Sequence, residues 1–369
     1  VDNEIEPHYI NLIITTKDNY FTALLDHCII RPIHINSLFE WNLIYCIIYS
    51  FIDNNEKVSD NMYKNQKIIE HSIKIKLRVI SFITILLMPI IIVFITFYNL
   101  FNYGEQFYNK PDLIISKNFT RLSTLKLKNY NELHHNFEYR VNKLNDLTKQ
   151  YDNSFRNKLL EAFLKLIIFV FSSIFITLLC LTIINDNILT KLNIIGDKNI
   201  LWFIGIVGSL IAIFRTIINS KNKENPLDIM DEISKLIIID KNYVENANVQ
   251  LIKKHYLKNY KFKIVQIFYD IVWTVFIPIQ MWSISYDTSY IVNFIKQIST
   301  NNPKIGIICL FSDFEKINEA EEPFYNSLLN ESEKDLFDKK RLFSLKQFLE
   351  EYPDSFKESI NQSTQIRLI

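Results

Sequence analysis

The densest group of side chains able to do chemistry is Glu132, His134, His135 and Glu138. Adjacent histidines point to different sides of a helix, so His134 and His135 do not chelate one metal ion together. Glu132 and Glu138 lie off a common helical face and make no carboxylate pair for acid–base work. The group reads as a polar helix face or a cap. The 4 cysteines, Cys28, Cys46, Cys180 and Cys309, are far apart and include no CxxC pair. That spacing fits reduced thiols and neither a disulfide scaffold nor a zinc site. With only 5 glycines there is almost no material for a phosphate-cradling loop. Signatures of the P-loop, GxSxG, HExxH, EF-hand and kinase types are absent as well. No catalytic residue, metal site or cofactor is expected, and an enzyme is not the reading.

Charges set among apolar residues say more. A charge in hydrocarbon costs roughly 2.5–3.5 kcal/mol on insertion scales, so it usually faces protein, water or headgroups. Asp270 and Arg215 are the two clear cases. Arg215 either anchors its helix end at the interface or holds a phosphate in a bidentate grip. Asp270 either pairs with a nearby lysine such as Lys261 or Lys263, or attracts a cationic group. Lys165, at a block edge, reads as a snorkelling side chain. Ser172, Ser173, Thr177 and Thr182 run along one apolar stretch, more often the mark of helix packing than of a polar path.

The elements that position these residues are four apolar blocks. Val79 to Phe101 and Leu166 to Asn185 carry no charge; Asn199 to Phe214 ends at Arg215; Ile264 to Trp282 is interrupted only by Asp270. A helix needs about 20 apolar residues to cross a bilayer, so three blocks suffice and the third is borderline. Leu43 to Ile52 is too short and reads as a core or interfacial helix. The expected fold is an all-α membrane protein. The second and third blocks are joined by a short, electrically neutral linker between basic flanks, which predicts a transmembrane hairpin with both flanks cytosolic. Pro89 and Pro278 sit near the middle of the first and fourth blocks, where each is expected to kink or break its helix. Basic residues flank the first block on both sides, so a kinked spanning helix and a re-entrant element both fit it.

The segments expected are 1–78 (cytosolic, helical), 79–103 (re-entrant), 104–162 (cytosolic, helical), 163–218 (hairpin), 219–263 (cytosolic, helical), 264–285 (re-entrant) and 286–369 (cytosolic, ending in an acidic tail). Apolar residues at helical spacing predict amphipathic helices over Asn131 to Asn142 and Asp228 to Ile239. The acidic tail is expected to be partly ordered, with short helices near Leu336 and Phe348. A net charge of +1 gives no electrostatic argument for nucleic acid. No signal peptide is evident, and the missing initial Met suggests a fragment.

Several stretches together resemble the autophagy-related protein 9 family. Phe39-Glu40-Trp41-Asn42-Leu43-Ile44-Tyr45-Cys46 is similar to its LEWNLNYC segment. Tyr103-Gly104-Glu105 with Lys110-Pro111 resembles its YAE stretch and following proline. Asn131-Glu132-Leu133-His134 with Phe137-Glu138-Tyr139-Arg140-Val141-Asn142 resembles the signature FNELxHxFExRLN, the most specific of the set. Leu210 to Arg215, Ile277-Pro278 with Trp282, and Gly306 through Cys309 to Phe311 support it. Order and spacing match from about Asp18 to Phe314.

The resemblance implies four transmembrane helices and two re-entrant elements per subunit, a homotrimer, and a sequence beginning after the first two transmembrane helices. It favours the re-entrant reading of the Pro89 and Pro278 blocks. It implies passive scrambling of phospholipids between leaflets, and recruitment of the lipid-transfer protein autophagy-related protein 2. The implied setting is the phagophore assembly site, cytoplasmic vesicles and Golgi–endosomal membranes. Candidate residues for the lipid path or gate are Glu105, Lys110, Arg215 and Asp270, with Ser173 and Thr177 behind them. The family's charged stretch is thinned here to Tyr108-Asn109-Lys110, and its acidic pair to Tyr269-Asp270, so scrambling is expected to be slower or differently lined. A vesicle scaffold without transport, and an ion channel using the same polar cavity, are the rival readings.

Overall fold

The computed structural model describes residues 7–52, 58, 65–109, 116–155, 158–184, 193–195, 198–219, 225–238, 256–302, 305–314 and 331–351. It is mostly helical, with three two-stranded ribbons added to the expected all-α design. In order it forms α1 (Pro7–Asp26), α2 (Ser37–Cys46), a 3-10 turn (Ile48–Ser50) and the long α3 (Gln66–Asn109). Next come β1 (Lys117–Phe119), α4 (Arg121–Lys126), α5 (His134–Ser154), α6 (Lys158–Ile184), β2 (Asn193–Ile195), β3 (Lys198–Asn199) and α7 (Ile200–Asn219). The chain ends with α8 (Pro226–Leu236), β4 (Tyr260–Phe262), α9 (Lys263–Ile284), α10 (Thr288–Gln297), β5 (Ser299–Asn302), β6 (Gly306–Cys309) and α11 (Glu331–Glu351). It divides into two units: Val1–Ile95, Phe119–Asn142 and Phe268–Ile369 form one; Thr96–Asn118 and Lys143–Ile267 form the other.

In the first unit the core follows from helical spacing. Ile69, Ile73 and Leu77 recur every four residues on α3 and are buried against α1, α2 and α10 residues such as Leu24, Leu43 and Ile295. Asn36 starts α2 by accepting a hydrogen bond from the Phe39 N–H at 2.9 Å. α2 buries one edge (Phe39, Leu43, Cys46) in the core and leaves Trp41 and Tyr45 exposed on the other.

The signature segment proves to be a structural knot. Asn131 takes a left-handed φ of 58°, which a short polar side chain tolerates. Its N–H donates to Asn19 Oδ1 at 2.9 Å, its amide to the Ser312 carbonyl at 2.8 Å, and its carbonyl accepts from Asn11 Nδ2 at 3.0 Å. The expected amphipathic helix therefore starts at His134, after this turn, as α5. Glu132 and Arg140 are buried and joined by two 2.7 Å hydrogen bonds, and Glu132 also accepts from the Asn129 N–H at 3.0 Å. His134 pairs with Glu138 at 3.2 Å on the exposed side, consistent with a polar helix face.

The tail differs from expectation. Instead of short helices near Leu336 and Phe348, α11 is a single helix docked along one face. Lys340 Nζ meets Asp26 Oδ2 at 2.6 Å, Ser344 Oγ accepts from the Tyr130 N–H at 3.1 Å, and Phe348 packs on Phe314. The buried Leu345 and Phe348 supply the apolar face that the acidic composition hides.

Of the kink or break expected at Pro89 and Pro278, the break is corrected: α3 and α9 continue as α-helix through both. A proline removes one backbone donor. Unwinding would strand several more polar groups among apolar neighbours, a larger cost than one lost bond. At Pro278 the neighbouring helix helps, for Ser81 Oγ on α3 donates to the Pro278 carbonyl at 2.8 Å.

In the second unit α6 and α7 pack side by side. Phe171 stacks on Phe214, and Gly208 lets Phe175 approach so closely that an added Cβ would sit 3.2 Å from the ring. Lys158–Ile184 contains a charge-poor span, whereas the apolar part of α7, Ile200–Arg215, stays short of a full crossing, as its borderline length suggested. α8 opens with Pro226 at its first turn and carries Asp228 near that end and Lys235 near the other, matching the helix dipole.

Candidate functional site

Among the described residues, three helices are long and apolar enough to cross a membrane: Gln66–Asn102 within α3, Glu161–Ile183 within α6, and α9. Their outward faces are apolar. Phe82, Leu86, Ile90 and Phe94 on α3 and Phe169 and Ile183 on α6 are all exposed. Water would not tolerate surfaces of this extent. These helices belong in hydrocarbon.

α9 carries a line of polar groups through that apolar context. Asp270, Thr274 and Pro278 recur every four residues on α9, and Ser285 follows in the turn just after it. Asp270 Oδ1 lies 2.8 Å from His34 Nε2, so a histidine is its partner. His34 stacks on Trp273 and leans on Tyr269. Asn36 Nδ2 donates to Thr274 Oγ1 at 3.0 Å, and Thr274 Oγ1 donates to the Asp270 carbonyl at 2.6 Å. The Pro278 carbonyl receives Ser81, and Ser285 Oγ accepts from Arg78 Nε at 3.3 Å. The Arg78 guanidinium lies 5.3 Å from the Trp282 ring and 5.7 Å from that of Tyr286.

This line has a carboxylate at one end and a guanidinium at the other: from Asp270 to Ser285, which Arg78 bonds, is about four helical turns, roughly 22 Å. The Asp270 side chain keeps 37% of its surface exposed, and its Oδ2 has no partner among the described residues. It can therefore accept a further cationic donor. The middle of the line, Thr274 and Pro278, is buried.

The other predicted residues fall elsewhere. Ser173 and Thr177 are exposed on α6, with Thr177 Oγ1 donating to its own Ile174 carbonyl at 2.8 Å. Within this chain, Phe175 against Gly208 and Phe171 against Phe214 contribute to the α6–α7 contact. Arg215 is exposed on α7, at the end of the apolar part of that helix. Glu105 lies on α3 with its side chain outside the described set, and Lys110 lies outside the described residues. Asp270 and Pro278 belong to one unit and Ser173, Thr177 and Arg215 to the other.

Sequence reasoning missed His34, Asn36, Arg78 and Ser81. Ser81 was visible as a hydroxyl within an apolar block. Nothing local marks His34 or Asn36 as partners of α9.

The family model described as Autophagy protein ATG9 matches residues 1–315. This chain belongs to the ATG9 family. Among curated relatives, Autophagy-related protein 9 of Schizosaccharomyces pombe is 24% identical over 321 residues, 82% of this chain and 45% of that protein. The Dictyostelium discoideum protein of the same name is 24% identical over 330 residues, 85% of this chain and 47% of that one. The chain thus spans less than half the length of these relatives. The cryo-EM structure of Schizosaccharomyces pombe Atg9 shares the fold, with a TM-score of 0.61 at 22% identity over 83% of this chain and 72% of that one. In this ATG9-family chain the matched region takes in the signature knot and α9 but stops before α11.

Proposed function

We propose that this chain is the core of a passive phospholipid scramblase acting on autophagic membranes. The observation that carries the reading is the polar line on α9, from Asp270 through Thr274 and Pro278 to Ser285 and Arg78. Scrambling needs no nucleophile or cofactor. It needs polar groups that replace water around a zwitterionic headgroup while the acyl tails stay in hydrocarbon. At separate stops along the line, Arg78 suits the phosphate, which a guanidinium binds in bidentate fashion, and the open oxygen of Asp270 suits the amine. Arg215, exposed at its helix end, and Ser173 and Thr177 add polar groups on the hairpin, and Glu105 and Lys110 are further candidates of the same reading. In this reading α3 and α9 kink at Pro89 and Pro278 while staying helical, and return to the face they entered. The chain works as a homotrimer at the phagophore assembly site, on cytoplasmic vesicles and on Golgi–endosomal membranes, passing lipid to or from autophagy-related protein 2.

One observation favours a second reading, that of a vesicle scaffold. The region around Asn131, Glu132 and Arg140 is a tightly bonded body of the kind that presents a rigid docking surface. Reconstitution separates the two. Vesicles holding the chain and a fluorescent phospholipid in both leaflets are treated with dithionite, which bleaches only the outer leaflet. The scramblase reading expects bleaching to run on into the inner-leaflet pool. Bleaching that stops at the protein-free level supports the scaffold, and ion flux without lipid flux supports a channel.

A further inference from the structure

The 3-10 turn extends the outer edge of α2, so Trp41, Tyr45 and Tyr49, spaced by four, share one side of this short element. They are 75%, 50% and 48% exposed, whereas Phe39, Leu43, Cys46, Ile48 and Phe51 on the other side are buried. Three large aromatics in a row are an unusual surface for water.

Lysines accompany them. Lys17 Nζ lies 4.8 Å from the centroid of the Tyr49 ring, and Lys76 Nζ lies 5.8 Å from that of Tyr45. Lys76 also donates to Ser50 Oγ at 2.9 Å. That contact fixes the depth of the element. Lys76 precedes the charge-free run that opens at Val79 by less than one helical turn, about 4.5 Å along the axis. A lysine at the edge of a membrane helix sits among headgroups, and whatever it holds sits there too. The nearby acid Glu40 is occupied by Arg121 at 2.8 Å, so it does not repel anionic lipid from this edge.

We infer that α2 and its 3-10 turn form an interfacial anchor. Trp41, Tyr45 and Tyr49 enter the headgroup and glycerol layer of the leaflet where the α3 span begins, and Lys17 and Lys76 meet lipid phosphates beside them. Aromatic rings with a polar tip partition to that layer, and lysines follow anionic groups there. The inference rests on the membrane embedding of α3 alone and holds whether or not the chain scrambles lipid.

The test places p-benzoylphenylalanine singly at Trp41, Tyr45 and Tyr49 in the full chain, reconstituted in phosphatidylcholine vesicles. Each change swaps one exposed aromatic for another, and a melting curve confirms that each variant is folded. Phe82, exposed on the α3 span, is the lipid-facing reference, and Tyr139, exposed on α5, is the reference outside the spans. After illumination, mass spectrometry of the labelled peptides reads the adducts. We expect phospholipid adducts at all three positions, severalfold above those at Tyr139 and comparable with those at Phe82. Adducts to another copy of the chain would overturn the inference in favour of a protein interface. Yields no higher than at Tyr139 would overturn it in favour of a water-facing edge.

Discussion

The surroundings of Asn131 and the α6–α7 hairpin solve opposite problems. Around Asn131, polar groups from distant parts of the chain answer one another: Asn11, Asn19 and Ser312 all bond it, and Glu132 and Arg140 close a buried ion pair beside it. On the hairpin, the hydroxyls of Thr177, Thr182 and Ser209 bond their own helices, while Leu166, Phe169, Ile176 and Ile183 point outward. The first region is specified by exact polar partners and loses much when one is removed. The second has its partners outside the chain, in hydrocarbon, and tolerates change as long as its surface stays apolar and its helices can touch.

The largest effect expected from this contrast is at Arg140. Arg140→Leu leaves the Glu132 carboxylate buried without its main partner, which costs about 3–5 kcal/mol. Thermal unfolding in detergent should show a drop of many degrees, against little change for Arg121→Leu, whose ion pair with Glu40 is half-exposed. Equal effects from the two changes would show that the knot is no more than a surface pair.

Next comes His27, which stacks on Phe311 and leans on Phe294. Burial, with Lys340 nearby, pushes its pKa down to about 4. The unfolded chain therefore binds a proton there that the folded chain refuses. This contribution to stability is complete above the unfolded value near 6.5, shrinks as pH falls, and is lost in full by about 4, amounting to about 3 kcal/mol at most. His27→Phe keeps a ring between the two phenylalanines, so its stability should fall less than that of the parent between about pH 7 and pH 4. Parallel curves for the two proteins would contradict the assignment.

A smaller effect is expected on the hairpin. Gly208→Leu drives a side chain into Phe175, and overpacking of this kind costs about 1–3 kcal/mol. Titration with a denaturing detergent should separate α6 from α7 earlier while the melting of the Asn131 region stays unchanged. If both transitions move together, the two regions are not energetically distinct.

Much of this was legible in the sequence. The apolar blocks, the pairing of the second with the third and the borderline length of the third all follow from local runs. What could not be read was long-range pairing. Arg31-Pro32-Ile33-His34-Ile35-Asn36 has no periodicity that would aim His34 at α9, yet it supplies both the partner of Asp270 and the cap of α2. Likewise Asn131 and Glu132 looked like part of a helix, because a left-handed residue has no signature in the spacing of apolar neighbours. The prolines left kink and break both open for a related reason. Their intrinsic preference is to break helices, and only the surroundings, apolar at Pro89 and hydrogen-bonded through Ser81 at Pro278, decide otherwise.

The central claim, that the polar line on α9 carries headgroups, is tested most directly by one substitution in the dithionite assay. Asp270→Asn preserves shape and hydrogen bonding to His34 but removes the charge offered to a lipid amine. The account predicts slower loss of inner-leaflet fluorescence, with the assembly state and melting temperature of the protein little changed. Scrambling at the parent rate in a protein of lowered stability would contradict it, and would make Asp270 a structural partner of His34.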